Sequence, residues 1–165
     1  MLRLLEIKKG FLKDREILFA EYNGKSDAFV FSKNYSLLIE DTIRIILADK
    51  KFSFALASAG SFSRRELSPY SDIDLMIITE SIEKDAADIQ KVITNLWDGG
   101  IEASHTVREL PDIQKYLSTD LHAFTQFFET RFISGDADLY NRWDNALHNS
   151  IDDNSKKILI INLFE

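Results

Sequence analysis

The stretch from Ala59 to Ile78, Ala-Gly-Ser-Phe-Ser-Arg-Arg-Glu-Leu-Ser-Pro-Tyr-Ser-Asp-Ile-Asp-Leu-Met-Ile-Ile, constrains this chain more than any other. The residues leading into it, Phe52 to Ala59, are short, largely apolar and halted by Gly60, the pattern of a strand entering a tight turn. Ile73 to Thr79 reads as a second buried strand. Between them Gly60-Ser61 opens a short helical turn followed by an irregular loop. Asp72 and Asp74 flank Ile73, so on a strand the two carboxylates share one face while Ile73 points into the core. Like charges held that close repel. A divalent cation bridging them relieves the repulsion, and Mg²⁺ prefers carboxylate and phosphate oxygens.

The Gly-Ser turn complements the acids. Glycine lets backbone approach a phosphate closely, the helical turn that follows presents free N–H groups, and Ser61 adds a hydroxyl donor. Taken alone, an Asp-x-Asp at a strand start is commonly a solvated edge or a turn cap, and Gly-Ser is a common turn pair. Joined at this spacing, between two strands, they are the parts that phosphoryl or nucleotidyl transfer requires, since that chemistry is mostly positioning and charge neutralisation.

The run from Gly60 to Ile78 resembles the signature of the polymerase-beta-like nucleotidyltransferase superfamily. More narrowly, it is similar to the nucleotidyltransferase domain of the bacterial uridylyltransferases that modify the PII nitrogen-signalling protein, in which a Gly-rich turn precedes Arg-Arg-Glu-Leu, Pro-Tyr-Ser and Asp-Ile-Asp-Leu. IEASHTVREL resembles that family's third catalytic-domain strand, and DLHAFTQFFETRFISGD its following helix with the Arg and the Gly-Asp ending. The likeness covers about Phe52 to Asp136.

The resemblance implies an α+β fold with a small mixed sheet and flanking helices. It implies that Gly60 and Ser61 hold nucleotide phosphates, and that Asp72 and Asp74 bind two Mg²⁺ ions, with Mn²⁺ as a substitute. A third carboxylate is expected on the next strand, where Glu102 is the acid within IEASHTV; it would complete the metal site and help deprotonate the attacking hydroxyl. The superfamily usually has Asp there, and a solvated strand Glu is the competing reading. Of Arg64 and Arg65, one is expected to reach the triphosphate, against the alternative of an ion pair with Glu66 or Asp72. Arg108 shares the phase of Glu102, Ser104 and Thr106 and is placed on the cleft side. His105 has the opposite phase, which suits a core or interface position. Phe124, Phe127, Phe128 and Phe132 have helical spacing and read as core rather than as a base-stacking platform.

Elsewhere the pattern predicts a helix from Leu2 to about Tyr22, with Leu5, Leu12, Ile17 and Leu18 at helical spacing and an interruption near Gly10. A second helix, from Ser26-Asp27 toward Asp49, would bury Leu37, Leu38, Thr42, Ile45 and Ile46. A helix over 83–97 and a strand over 101–107 follow. Everything after Pro111 reads as helices, over 112–117, 120–133, 138–148 and 152 to the end. Residues 1–50 are thus taken as helices packed on a 51–110 nucleotidyltransferase core, with 111–165 as a helical C-terminal part. The closing KKILIINLFE lacks a cap or polar tail, which fits the front portion of a longer protein or a docked C-terminal helix.

The 165 residues, 45% of them hydrophobic, suffice for a buried core. The absence of cysteine excludes disulfides and thiolate chemistry. A net charge of −7 argues against general affinity for nucleic-acid backbone. The opening segment interleaves charges among its apolar residues, unlike a signal peptide, and no apolar run is long enough to cross a bilayer, so a cytoplasmic setting is expected. None of His105, His122 and His148 is followed by Asp, so the His-Asp pairs of a hydrolytic metal domain are not supplied here.

These readings converge on a metal-dependent enzyme that moves a nucleoside monophosphate from an NTP to an acceptor hydroxyl, releasing pyrophosphate. The acceptor is left open among a PII-like signalling protein, another protein tyrosine, a small molecule and a nucleotide. The alternative is a non-enzymatic module that keeps the fold and binds nucleotide or a partner protein.

Overall fold

The computed structural model describes residues 2–22, 27–120, 124 and 126–150. The element order is α1 (Leu2–Glu21), α2 (Ala28–Leu47), β1 (Ala55–Ala59), α3 (Gly60–Arg64), β2 (Ile73–Thr79), α4 (Ile82–Asp98), β3 (Ala103–Glu109), α5 (Asp112–Thr119), a 3-10 turn (Gln126–Phe128), β4 (Thr130–Gly135) and α6 (Ala137–Ser150). The strands form one mixed sheet in the order β3-β2-β1-β4, with β1 antiparallel to both neighbours and β2 parallel to β3. The fold is therefore α+β, with a mixed sheet and flanking helices.

Strand alternation divides the core into two layers. Leu56, Ile73, Leu75 and Ile77 face a cluster made with Phe11 of α1, Phe31, Tyr35, Ile39 and Ile43 of α2, and Ile89, Val92, Ile93 and Leu96 of α4. Ala55, Met76 and Ile78 face the other cluster, built from Ile113, Phe124, Phe127, Leu139, Trp143 and Leu147. Phe62 is fully buried in the first layer and anchors α3 to the sheet, so truncation to Ala would cost about 3–5 kcal/mol and loosen the Gly-Ser turn with it. The parallel β2/β3 pair is joined by α4, whose Ser81 cap accepts from the Lys84 N–H. The buried Asp85 carboxylate accepts from Ser53 Oγ at 2.6 Å and from the Thr79 hydroxyl, tying the approach to β1 to the end of β2.

β2 matches its expected bounds, whereas β1 and β3 begin later than the apolar pattern suggested. Four other expectations are corrected. α1 runs without a break through Gly10, where an added Cβ would meet nothing within 4 Å, because tertiary contacts hold the helix against the modest propensity cost of glycine. Phe11 is the buried residue of α1, while Leu5, Leu12 and Ile17 are exposed. The buried stripe of α2 follows Phe31, Tyr35, Ile39, Ile43 and Leu47 at four-residue intervals; Thr42 and Ile46 are buried as expected, Leu37 and Leu38 are half-buried, and Ile45 is left at the surface. Within 120–133 the chain forms the 3-10 turn and enters β4 rather than a helix. Phe124 and Phe127 are buried as core, Phe132 packs beside them, and Phe128 is 37% exposed. Gly135 ends β4 at φ +97°, where an added Cβ would lie 2.3 Å from the Phe54 carbonyl oxygen, so only glycine fits. The stretch from 152 onward lies outside the described residues.

Candidate functional site

The site is assembled at one end of the sheet. β1 delivers the chain to Gly60, which takes φ +52° as α3 begins. Its N–H donates to the Glu129 carbonyl at 3.0 Å, and Ser63 Oγ donates back to the Gly60 carbonyl at 2.8 Å. No side chain caps α3. Among the described residues, no protein acceptor takes the N–H of Ser61 or Phe62, so the donors next to the turn remain available.

After α3, Arg65 turns the chain in the left-handed region at φ 60°. The loop closes at Ser68-Pro69-Tyr70-Ser71, where the Ser71 N–H donates to the Ser68 carbonyl at 3.2 Å and the Ser68 N–H to Ser71 Oγ at 3.0 Å. Proline at the second position of that turn pre-sets its backbone. The chain then enters β2 through Asp72, which is exposed, while Asp74 is half-buried one step into the strand.

Asp74 lies in a groove of about 310 Å³ lined with Ala59, Gly60, Ser104, Thr106, Gln126 and Glu129. Its Oδ2 lies 3.7 Å from where a Cβ on Gly60 would stand, and its Oδ1 accepts the Ser104 hydroxyl at 2.5 Å. Asp74 and Ser104 are register partners on the parallel pair, which explains their meeting. The turn and the second acid of the Asp-x-Asp pair are thus neighbours around one cavity.

Asp72 and Glu102 line a different, polar groove of about 320 Å³, together with Lys8 and Arg15 of α1 and the buried Tyr35. Burial raises the Tyr35 phenol above its ordinary pKa, against the opposing pull of the Arg15 charge and hydrogen bond. Glu102 is exposed just ahead of β3. The structure therefore brings Glu102 beside Asp72 and not into the groove of Asp74, and it corrects the expected shared face of the Asp72-Asp74 pair: β2 begins at Ile73, so Asp72 stands ahead of the strand and the two acids line different grooves. His105 is exposed on the edge strand β3, which rules out the core half of its expected core or interface position.

Arg64 hydrogen-bonds Glu66 at 2.8 Å and Glu129 at 2.6 Å. The Glu66 hydrogen bond, with the Glu129 charge, raises its guanidinium pKa further. Arg65 instead approaches the buried Glu40 at 3.7 Å. Arg108 shares the sheet face of Asp74 but lays its guanidinium 4.9 Å over the Tyr116 ring and 5.7 Å over that of Phe127.

Sequence reasoning missed Glu129, which faces the groove from the turn before β4. The signal was present in Glu129-Thr-Arg-Phe-Ile, an acid placed ahead of a β-branched and aromatic run as Asp72 is placed ahead of Ile73. The helical spacing of the phenylalanines masked it. Lys8 and Arg15 were also missed, because they belong to a helix with no motif of its own.

Carboxylates are the right donors for a hard divalent cation. Among the described residues, however, no three acidic or histidine groups converge as a metal-binding cluster. What the groove offers is the smaller donor set that Mg²⁺ commonly uses, one or two carboxylates completed by water and substrate phosphates.

No protein-family model matches the chain. Curated proteins do. The chain is similar to the bifunctional uridylyltransferase/uridylyl-removing enzyme of Ectopseudomonas mendocina, 31% identical over 143 residues, 82% of this chain and 16% of that protein. The enzyme of the same description from Nitrosospira multiformis is 27% identical over 148 residues, covering 83% and 17% of the two chains. That of Bordetella pertussis is 35% identical over 99 residues, covering 59% and 11%. The chain thus spans about one sixth or less of the length of these relatives. Over that segment it is a relative of the bifunctional uridylyltransferase/uridylyl-removing enzymes, and its resemblance is to their nucleotidyltransferase domain.

Proposed function

We propose that this protein transfers a nucleoside monophosphate, uridylyl in the first instance, from an NTP to an acceptor hydroxyl such as one on a PII-like signalling protein. The observation that carries this reading is the meeting of Gly60, Asp74 and Glu129 around one groove at the mouth of the β1-α3-β2 unit. Kinship with enzymes named as uridylyltransferases supports it.

In this reading the triphosphate lies against the Gly60-Ser61 turn, where the free Ser61 and Phe62 N–H groups meet phosphate oxygens and the absent side chain of Gly60 permits close approach. The acceptor oxygen forms a bond to the α-phosphorus as the bond to the bridging oxygen of the leaving pyrophosphate breaks. Asp74, oriented by Ser104, would hold Mg²⁺ or Mn²⁺ in its groove, and Asp72 would join it only by turning from the groove it lines with Glu102. The third carboxylate is Glu129, which shares the Asp74 groove, with Glu102 as the rival beside Asp72. A bound ion would neutralise triphosphate charge and lower the acceptor's pKa. The acceptor proton passes to the third carboxylate or to solvent. Arg64, held by Glu66 and Glu129 at the rim, is the arginine placed to swing onto the triphosphate.

The second reading, a binding module without transfer, is favoured by the lack of a three-carboxylate cluster among the described residues. Calorimetric titration with Mg-UTP and Mg-ATP, followed by incubation with α-labelled UTP and a PII-type protein, free tyrosine or glycerol as acceptor, separates the two. Label moving to an acceptor supports the enzyme. Binding with no transfer to any of them favours the module, and no binding of either nucleotide contradicts both.

A further inference from the structure

Glu40 on α2 is 1% exposed, yet it sits among guanidinium groups from three separate parts of the chain. Arg44, one turn along α2, and Arg131 of β4 both bond its carboxylate, and Arg65 lies 3.7 Å away. A buried ionic cluster of this kind is weak evidence for stability, because well-packed apolar residues often serve as well or better. What it does supply is orientation.

Arg131 shows where that orientation goes. While Nη1 is held by Glu40, Nε donates to the Ser63 carbonyl at 3.1 Å and Nη2 to the Phe62 carbonyl at 3.4 Å. These are carbonyls at the end of α3, where helical acceptors run out of backbone donors. The backbone of Arg131 is fixed as well, since it pairs with Ser58 on β1 and its carbonyl accepts the Ser58 hydroxyl at 3.1 Å. Two residues earlier, the Glu129 carbonyl holds the Gly60 N–H and its carboxylate holds Arg64. The segment Glu129-Thr130-Arg131 therefore grips α3 at both ends, and Glu40 braces the grip from α2.

We propose that Arg131, braced by the buried Glu40, is a positioning residue that fixes α3 so that Gly60 stands at its working distance from Asp74 and Glu129. The catalytic consequence rests on the nucleotidyltransferase reading; the clamp itself does not. A lysine could neutralise Glu40 but could not also reach two carbonyls, because the three contacts use the planar fork of the guanidinium.

The clamp is tested without activity by amide hydrogen exchange on the full chain. R131K accelerates exchange at Gly60, whose N–H is donated to Glu129, and leaves the β2 and β3 amides at wild-type rates. Unchanged Gly60 exchange in folded R131K overturns the clamp, as does equal acceleration throughout the sheet. The catalytic consequence is read in Mg-UTP transfer, where R131K and E40D each lower kcat/KM by about 10- to 100-fold, the scale expected of small misplacements at a reacting centre. The double variant R131K with Gly60→Ala is no slower than the worse of the two single variants, since both act through α3. Multiplying losses in that pair overturn the positioning role, because a merely structural arginine would act independently of Gly60. If wild-type protein neither binds nor transfers UTP, the functional reading fails while the exchange result still decides the clamp.

Discussion

The Ser104 hydroxyl donates to Asp74 Oδ1 at 2.5 Å, joining parallel strands β2 and β3 at a register pair that opens into the candidate groove. A carboxylate with one oxygen so engaged is held in one rotamer, with the other oxygen turned toward Gly60. Ser104→Ala is expected to leave folding intact and to lower the transfer rate about fivefold, equivalent to about 1 kcal/mol for a lost hydrogen bond. Steady-state kinetics at saturating Mg-UTP checks this, and a wild-type rate would mean that Asp74 is oriented by other groups.

The two candidates for the third carboxylate are separable because they line different grooves. Glu129→Gln should reduce transfer by about 100-fold, within the range for removing a group that stabilises charge at the reacting centre. Glu102→Gln, altering an exposed residue beside Asp72, should stay within about threefold of wild type. The reverse order in parallel rate measurements would return the role to Glu102.

At Gly60 the structure distinguishes strain from obstruction. An added Cβ would meet Asp74 Oδ2 at 3.7 Å, an ordinary contact, so Gly60→Ala suffers mainly from φ +52°, at about 1–2 kcal/mol. That corresponds to a Tm lowered by about 2–8 °C with NTP binding weakened but present. Gly60→Val adds branched bulk beside the Asp74 carboxylate and should eliminate Mg-UTP binding in calorimetry. Undiminished affinity in a Val variant shown folded by circular dichroism would place the triphosphate elsewhere.

Alkaline stability should report on the buried Tyr35 phenol and the half-buried Tyr140 phenol. Burial raises the pKa of Tyr35 and Tyr140 above the ordinary value near 10. The folded state therefore keeps their protons when the unfolded chain begins to lose them. The stabilisation is complete below about pH 10 and is lost as pH rises toward the raised folded values. Denaturant melts between pH 9 and 11.5 should show stability falling with pH, and a Tyr35→Phe/Tyr140→Phe variant should show a flatter decline. An identical slope in that variant would assign the alkaline loss to other groups.

The parts of the site that sequence reasoning recovered are those written into one contiguous run. Gly60 and Asp74 come together because a strand, a turn and a returning strand leave little freedom between them, and Asp-Ile-Asp carries its own period-2 signal. Glu129 was not legible in that way. It reaches the groove only because β4 pairs with β1 across more than seventy residues, a non-local pairing that no local periodicity encodes. The same holds for Arg131 and Glu40, whose meeting depends on how α2 packs under the sheet. Glu102 was named as the acid within the stretch expected to be the third strand, but β3 begins at Ala103, so Glu102 stands ahead of the strand, beside Asp72. The phase of α2 shifted for a related reason: several registers of its apolar residues give an amphipathic helix, and the partner surface selects one.

Asp74→Asn decides whether Asp74 belongs to the catalytic centre. Asparagine keeps an acceptor for Ser104 and removes one of the two carboxylate charges, Asp74 and Glu129, that line the groove, so the Tm should equal or exceed that of wild type. Transfer of label from α-labelled Mg-UTP to a PII-type protein should fall to background in the same preparation. A folded Asp74→Asn protein that retains full Mg-dependent transfer would contradict the account and move the catalytic centre away from this groove.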